Sequence, residues 1–201
     1  MEGLDYGTGK YIDTFNKFCE YFETMLVKHI LISGTTWPGI LFHDDRKCID
    51  YLYTRKDVDK SMIGCCGLSI GGFRSGHLAA LDSRIKCTVV AGWMPTYGSL
   101  LFNRLRDHTY MVYIPGLTKY MDIPDVMSLA APNPLLVQQC TEDELYTLEG
   151  MQDACIKIED IYTKLGHKDK YKYEFYNNNH EFNIKMQEDA FSWLDRWFKK
   201  Y

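Results

Sequence analysis

The 201-residue chain has no long uncharged apolar run, and its longest ones fall well short of the roughly 20 residues that cross a bilayer. It has no Asn-X-Ser/Thr sequon. Its seven cysteines are an odd number and form no Cys-X-X-Cys pair, so a zinc or thioredoxin-like site has no support. Neither sign of charge dominates. The 23 basic and 27 acidic residues are interspersed and sum to −4, which leaves no electrostatic footprint for nucleic acid or an anionic membrane. The start, MEGLDYGTGK, lacks the basic-then-apolar build of a signal peptide. Together with scattered thiols this gives a cytoplasmic, reducing setting as the expectation. Six prolines and 15 glycines show no period, which excludes a fibrous chain. What is present, 46% apolar and 25% charged residues, is ordinary for a globular chain, and the length fits one domain over residues 1–201.

Apolar residues at spacings of three and four predict an amphipathic helix over 11–32, with Tyr11, Phe15, Phe18, Phe22, Met25, Leu26 and His29 on one face. Trp37, Pro38 and Gly39 interrupt the pattern, and a second helix is expected near 40–54. Leu41, Cys48, Ile49 and Leu52 should face inward there, with Asp44 and Asp45 in its first turns. Met62–Cys66 reads as a buried strand, with Cys65 and Cys66 on opposite faces. Residues 71–81 read as a helix with a small-residue face, and 86–91 as another buried strand. Residues 93–133 mix aromatic, Gly and Pro residues with helical patches near 99–105 and 124–130. They are expected to be a lid-like or irregular insertion. A strand at 135–140, a helix from Leu148 closed by Gly166, a strand at 171–176 and a last helix over 183–199 complete the chain. From residue 62 the strands and helices alternate, which implies a mainly parallel, doubly wound α/β sheet.

The sharpest chemical signal is Gly67-Leu68-Ser69-Ile70-Gly71-Gly72. It matches G-X-S-X-G and sits between an apolar strand and a small-residue helix, the context of a nucleophile elbow. The backbone two residues before and two after the serine comes close together, so Gly67 and Gly71 are expected to avoid a Cβ clash. Gly72 lets the helix approach the sheet. A serine hydroxyl needs a base, itself oriented by an acid. His180 lies after the strand 171–176 and before the final helix, whereas His29, His43, His77, His108 and His167 do not. The acid should follow the strand 135–140, where Thr141-Glu142-Asp143-Glu144 offers Asp143, with Glu142 in reserve. The Ile70 amide, one residue past the serine, is the first oxyanion donor. Asp122, Asp125 and Tyr97 read better as caps or packing than as substrate contacts. His43-Asp44-Asp45 reads as a helix start rather than a metal site, and Trp193 and Trp197 read as core.

The segments GLSIGG, AALDSRIKCTVVAGWM, IPDVMSLAAPNPLLVQQCTEDELYTLEGM and NNNHEFNIKMQEDAFSWLDRWF resemble the α/β-hydrolase superfamily, nearest its dienelactone-hydrolase-like and acetyl-xylan-esterase-like branch. The resemblance covers about residues 34–199. It implies a triad of Ser69, Asp143 and His180, with no cofactor and no metal. Serine rather than cysteine at the elbow favours the esterase side of that branch. The family begins with several further strands, one of them leading to an often His-Gly-rich loop that gives a second oxyanion donor. Here no histidine is followed by glycine and no strong strand precedes residue 62. The chain is therefore expected to lack the first strands and to expose a sheet edge. The helix 11–32 would either cover that edge or form a homo-oligomer interface.

The expected function is a serine carboxylesterase acting on a small ester, such as an acetylated sugar or xylan, through an acyl-enzyme. The substrate-binding residues are not legible. Two alternatives remain: a shortened hydrolase relic with little or no turnover, and a prolyl-oligopeptidase-like peptidase, which would need a gating domain.

Overall fold

The computed structural model describes residues 9–105 and 108–198. The side chain of Tyr11 lies outside the described residues. In chain order the elements are α1 (Gly9–Ile32), α2 (Trp37–Thr54), β1 (Gly64–Leu68), α3 (Ile70–Leu81), β2 (Cys87–Ala91), α4 (Tyr97–Asn103), α5 (Ile123–Ser128), β3 (Leu135–Cys140), α6 (Leu148–Lys164), β4 (Tyr171–Tyr176) and α7 (Ile184–Phe198). Single 3₁₀ turns occur at Tyr110–Val112, Leu117–Lys119 and Lys168–Lys170.

The four strands form one parallel sheet in the order β1-β2-β3-β4. Parallel strands need covering on both faces, and side chains alternate between those faces. Val90, Leu135, Val137 and Tyr171 point to one side, into a core with Phe73 of α3 and Ala154, Ile158 and Tyr162 of α6. Cys87, Val89 and Leu136 point to the other, against Ala190, Trp193 and Trp197 of α7. The two tryptophans meet edge-on at 5.7 Å, so they are core residues as expected. Cys65 lies beneath α3, with its Sγ 3.4 Å from the Ser75 carbonyl, while Cys66 is exposed, the opposite-face arrangement expected.

Several boundaries and orientations differ from expectation. Trp37, Pro38 and Gly39 open α2 rather than precede it. Thr36 caps this helix by accepting the Gly39 N–H, and Pro38 suits a first turn whose amides have no acceptor. Asp44 and Asp45 therefore lie past the first turn. Asp45 is buried and forms a two-pronged pair with the Arg74 guanidinium, which ties α2 to α3. Cys48 is exposed, as are Cys19 and Cys66, so three of the seven cysteines are not core residues. Burial pushes the Cys65, Cys87 and Cys155 thiols up to about 12, which leaves them inert.

The first helix forms, but its aromatic face does not cover the sheet. Phe15, Phe18 and Phe22 are each at least half exposed. The main neighbour of α1 is the 3₁₀ turn at 110–112, where the Glu23 carboxylate accepts from the Thr109 hydroxyl and the Tyr110 N–H. Among the described residues, β1 is an edge strand, as expected.

Within 93–133, Asp122 and Asp125 form a capping box at the start of α5, and Asp122 also accepts the Tyr97 N–H at 2.7 Å. Tyr97 is buried and donates to the Val112 carbonyl at 2.9 Å. All three are structural residues, in line with the reading above. No helix among the described residues is long and apolar enough to cross a membrane.

Candidate active site

The loops after all four strands meet at one end of the sheet, the carboxyl ends, where open α/β sheets place their reactive groups. Ser69 follows β1, Gly92 follows β2, Asp143 follows β3 and His180 follows β4.

Ser69 is the only non-glycine residue with positive φ among the described residues, at φ 58° and ψ −120°. A side chain in that region costs of order 1–3 kcal/mol and persists only where the surroundings hold it. Here the Ser69 N–H donates to the Ala91 carbonyl at 2.9 Å, and the Ser69 carbonyl accepts from Phe73 N–H at 2.9 Å as the first helical bond of α3. The amide of Ile70, the first residue of α3, is one of the first-turn amides for which the helix itself offers no acceptor, and it lies at the positive end of the helix.

The elbow glycines are not equivalent. A Cβ on Gly67 would lie 2.3 Å from the carbonyl carbon and oxygen of Gly71. One on Gly72 would lie 2.9 Å from the Ala91 carbonyl oxygen. Both positions therefore require glycine. One on Gly71 would meet nothing within 4 Å. The expectation that Gly71 avoids a clash through its own missing side chain is corrected: the close approach involves the Gly71 backbone and the Gly67 Cα hydrogens.

Asp143 and His180 meet. The His180 Nδ1–H donates to Asp143 Oδ2 at 2.6 Å, and the Leu145 N–H donates to Asp143 Oδ1 at 2.9 Å. The Asp143 side chain is fully buried and the His180 side chain is 24% exposed. An ionised carboxylate on Nδ1 puts the imidazole proton there and leaves Nε2 with its lone pair. Glu142 is exposed, and its amide is bound to the Asn178 carbonyl at 3.1 Å. Of the acidic run, Asp143 is the residue turned to the histidine.

Gly92 packs between this pair and the elbow. A Cβ there would lie 3.0 Å from Leu68 Cδ1 and 3.2 Å from His180 Cε1, and its φ of 56° also favours glycine. The imidazole thus borders the strand end that carries Ser69.

Three residues that the sequence reading did not single out complete the cluster. Tyr146 is 3% exposed. Its ring stacks on His108 at 5.2 Å, meets Trp93 edge-on at 5.7 Å and lies 6.2 Å from the His180 ring. Chain order excludes His108 as the base, and the structure packs it against Tyr146 and Trp93. The only sequence signal for Tyr146 and Trp93 is position. One stands three residues past the acid, the other directly after the glycine that follows β2.

No group of three or more His, Cys, Asp or Glu able to hold a metal ion occurs among the described residues. His43 and Asp44 are exposed, and Asp45 is paired with Arg74.

A parallel sheet with a strained serine elbow after one strand, and a buried acid and a histidine paired after two later ones, decides the architecture. The fold is that of an α/β-hydrolase. The comparisons agree. No family model matches the chain. It is similar to "Putative hydrolase YtaP" of Bacillus subtilis (strain 168), at 28% identity over 176 residues, 87% of this chain and 59% of that protein. Among solved structures it resembles a glucuronoyl esterase from Solibacter usitatus with a TM-score of 0.67 and 16% identity, covering 78% of this chain and 48% of that one. It also resembles a "putative acetyl xylan esterase" from Bacteroides fragilis, with a TM-score of 0.65 and 18% identity, covering 77% and 40% of the two chains. The chain thus spans 59% of the length of the curated relative, and about half or less of these two structures. The α/β-hydrolase fold accounts for the site's position: its elbow, acid and histidine all sit at the carboxyl ends of adjacent parallel strands.

Proposed function

We propose that this chain is a serine ester hydrolase that works through an acyl-enzyme. The observation that carries the reading is the 2.6 Å pair of Asp143 and His180 beside the strained Ser69 elbow. Ser69 Oγ attacks the ester carbonyl carbon as its proton passes to His180 Nε2. Asp143 holds the imidazole in the tautomer that can accept that proton and stabilises the imidazolium. The tetrahedral intermediate collapses, the C–O bond to the alcohol breaks, and the alkoxide takes the proton from Nε2. Water then attacks the acyl carbon, gives its proton to Nε2, and Ser69 recovers the proton as the acid leaves. The Ile70 amide donates to the developing oxyanion. No step calls for a cofactor.

The substrate in this reading is a small ester, with a carbohydrate ester such as an acetylated sugar the first choice. The structural neighbours named above as esterases support that choice. The half-exposed aromatic face of α1 and the edge position of β1 support self-association of the chain, which sedimentation equilibrium tests. The same edge position favours the reading of a relic with little turnover. An organophosphonate probe separates the two. Labelling that Ser69→Ala abolishes, together with hydrolysis of a nitrophenyl acetate, supports the esterase. Labelling without turnover supports the relic. Equal labelling of wild type and Ser69→Ala overturns the nucleophile itself.

A further inference from the structure

The loop that carries the proposed acid runs from Thr141, directly after β3, to Thr147, the cap of α6. Its first half is tied by the Thr141 and Glu142 amides to the end of β4 and the loop that leaves it. Its second half is held from a different part of the chain. The Leu145 N–H donates to Asp143 Oδ1 at 2.9 Å, and the Leu145 carbonyl lies 3.1 Å from Nε2 of His108, 37 residues earlier. A carbonyl oxygen only accepts, so Nε2 carries the proton and is the donor. The ring that presents this N–H is itself fixed. It stacks on Tyr146 at 5.2 Å and meets Trp93 edge-on at 6.1 Å. Both of those side chains are buried. Leu145 is thus gripped at its amide by the acid and at its carbonyl by a histidine of the 93–133 segment.

We propose that His108 is a positioning residue for the acid. By anchoring the Leu145 carbonyl it fixes the Leu145 amide, and that amide turns the Asp143 carboxylate so that Oδ2 faces His180 Nδ1. The inference rests on the reading of Ser69, Asp143 and His180 as a triad. The carboxylate accepts one hydrogen bond on each oxygen, from the Leu145 N–H on Oδ1 and from His180 Nδ1–H on Oδ2 at 2.6 Å. Rotation about its Cβ–Cγ bond moves both oxygens together, so the first bond sets the direction of the second. The Asp143 side chain is fully buried, so a Leu145 amide that drifts away leaves Oδ1 without a charge-assisted bond and without water to replace it. His108 gains and loses no proton in this role. With Nε2 occupied as a donor to a carbonyl, that nitrogen has no lone pair to offer a serine, which agrees with its exclusion as the base by chain order. The 93–133 segment, expected to be lid-like or irregular, thereby braces the acid.

Two substitutions separate the donor from the ring. His108→Phe keeps an aromatic ring against Tyr146 and Trp93 and deletes the donor. His108→Gln deletes the ring and keeps an N–H at about the reach of Nε2. Misplacing a group of the site by about 1 Å costs up to roughly 10²-fold in rate. With nitrophenyl acetate the expected result is a fall in kcat of roughly 10- to 100-fold for His108→Phe, with KM nearly unchanged, and His108→Gln within about threefold of wild type. A role in packing alone gives the reverse order, and that order overturns the inference. Where His108→Phe does not fold, His108→Gln decides by itself: a loss of kcat of about tenfold or more overturns the inference. Proton NMR of His180 Nδ1–H supplies a readout that needs no turnover. Its low-field resonance, the mark of a short bond to Asp143, is expected to move upfield in His108→Phe and to stay in place in His108→Gln. A resonance unmoved in His108→Phe overturns the inference. If wild type neither labels with the phosphonate nor turns over, the nucleophile reading fails, and the resonance still tests the link from His108 to Asp143.

Discussion

Asp143 and His180 are 37 residues apart in the chain and 2.6 Å apart in space. One follows β3 and the other β4, and these strands pair in parallel from Leu135 with Tyr171 to Cys140 with Tyr176. That register ends both strands at the same level. The loops leaving them are tied together by Thr141 N–H to the Tyr176 carbonyl at 2.8 Å and by Glu142 N–H to the Asn178 carbonyl at 3.1 Å. The acid–histidine pair is thus a consequence of sheet register, and it is the pair on which the proposed chemistry depends.

The two neighbouring acids should separate cleanly. Asp143→Asn removes the acceptor that sets the His180 tautomer and should lower kcat by about 10³–10⁴-fold with little change in KM. Glu142 is exposed and contributes its backbone to the loop, so Glu142→Gln should stay within about threefold of wild type. Steady-state kinetics on the two variants decides it, and the reverse order would place the acid one residue earlier.

The elbow glycines should differ just as sharply in stability. Gly67→Ala forces a Cβ to 2.3 Å from the Gly71 carbonyl and should cost roughly 3 kcal/mol or more, or prevent folding. Gly71→Ala meets no atom and adds a better helix former in the first turn of α3. It should be neutral or stabilising by up to about 1 kcal/mol. Urea unfolding of both variants measures this, and equal destabilisation would show that the elbow is less tightly wound than described.

Acid should weaken the fold through His77. This histidine is 2% exposed, its ring is stacked on Phe42 at 4.6 Å, and its Nδ1 lies 2.8 Å from the Phe73 carbonyl. Burial lowers its pKa from 6.5 to about 4, against the raising effect of the Phe73 bond. Below pH 6.5 the unfolded chain takes up this proton while the folded one does not. The associated stability is therefore whole above pH 6.5 and is lost as pH falls towards 4, by roughly 3 kcal/mol. In His77→Phe, which retains the stack without the proton site, unfolding free energy should fall less over that interval. Parallel slopes for the two proteins between pH 7 and pH 4.5 would remove His77 from the account.

The alternation of strands and helices after residue 62, and the elbow at Ser69, were legible in the sequence because both are local. Apolar runs and 3.6-residue spacings report burial along one element. Gly67, Ser69 and Gly72 report a backbone turn that few other residues allow. The bounds of β3, β4 and α7 follow from the same signals to within a residue. Which acid of Glu142, Asp143 and Glu144 faces His180 is a matter of strand register and loop ties, and no local pattern carries that information. The same holds for Tyr146, whose ring comes to 6.2 Å from the His180 ring only because β3 and β4 are neighbours and the loops leaving them converge. Tertiary structure also decided the role of Gly71, which lends its backbone rather than its missing side chain. It decided the place of α1, too. Periodicity marked an apolar face there, but whether that face is covered depends on what the rest of the chain brings against it, and in this structure Phe15, Phe18 and Phe22 remain at least half exposed.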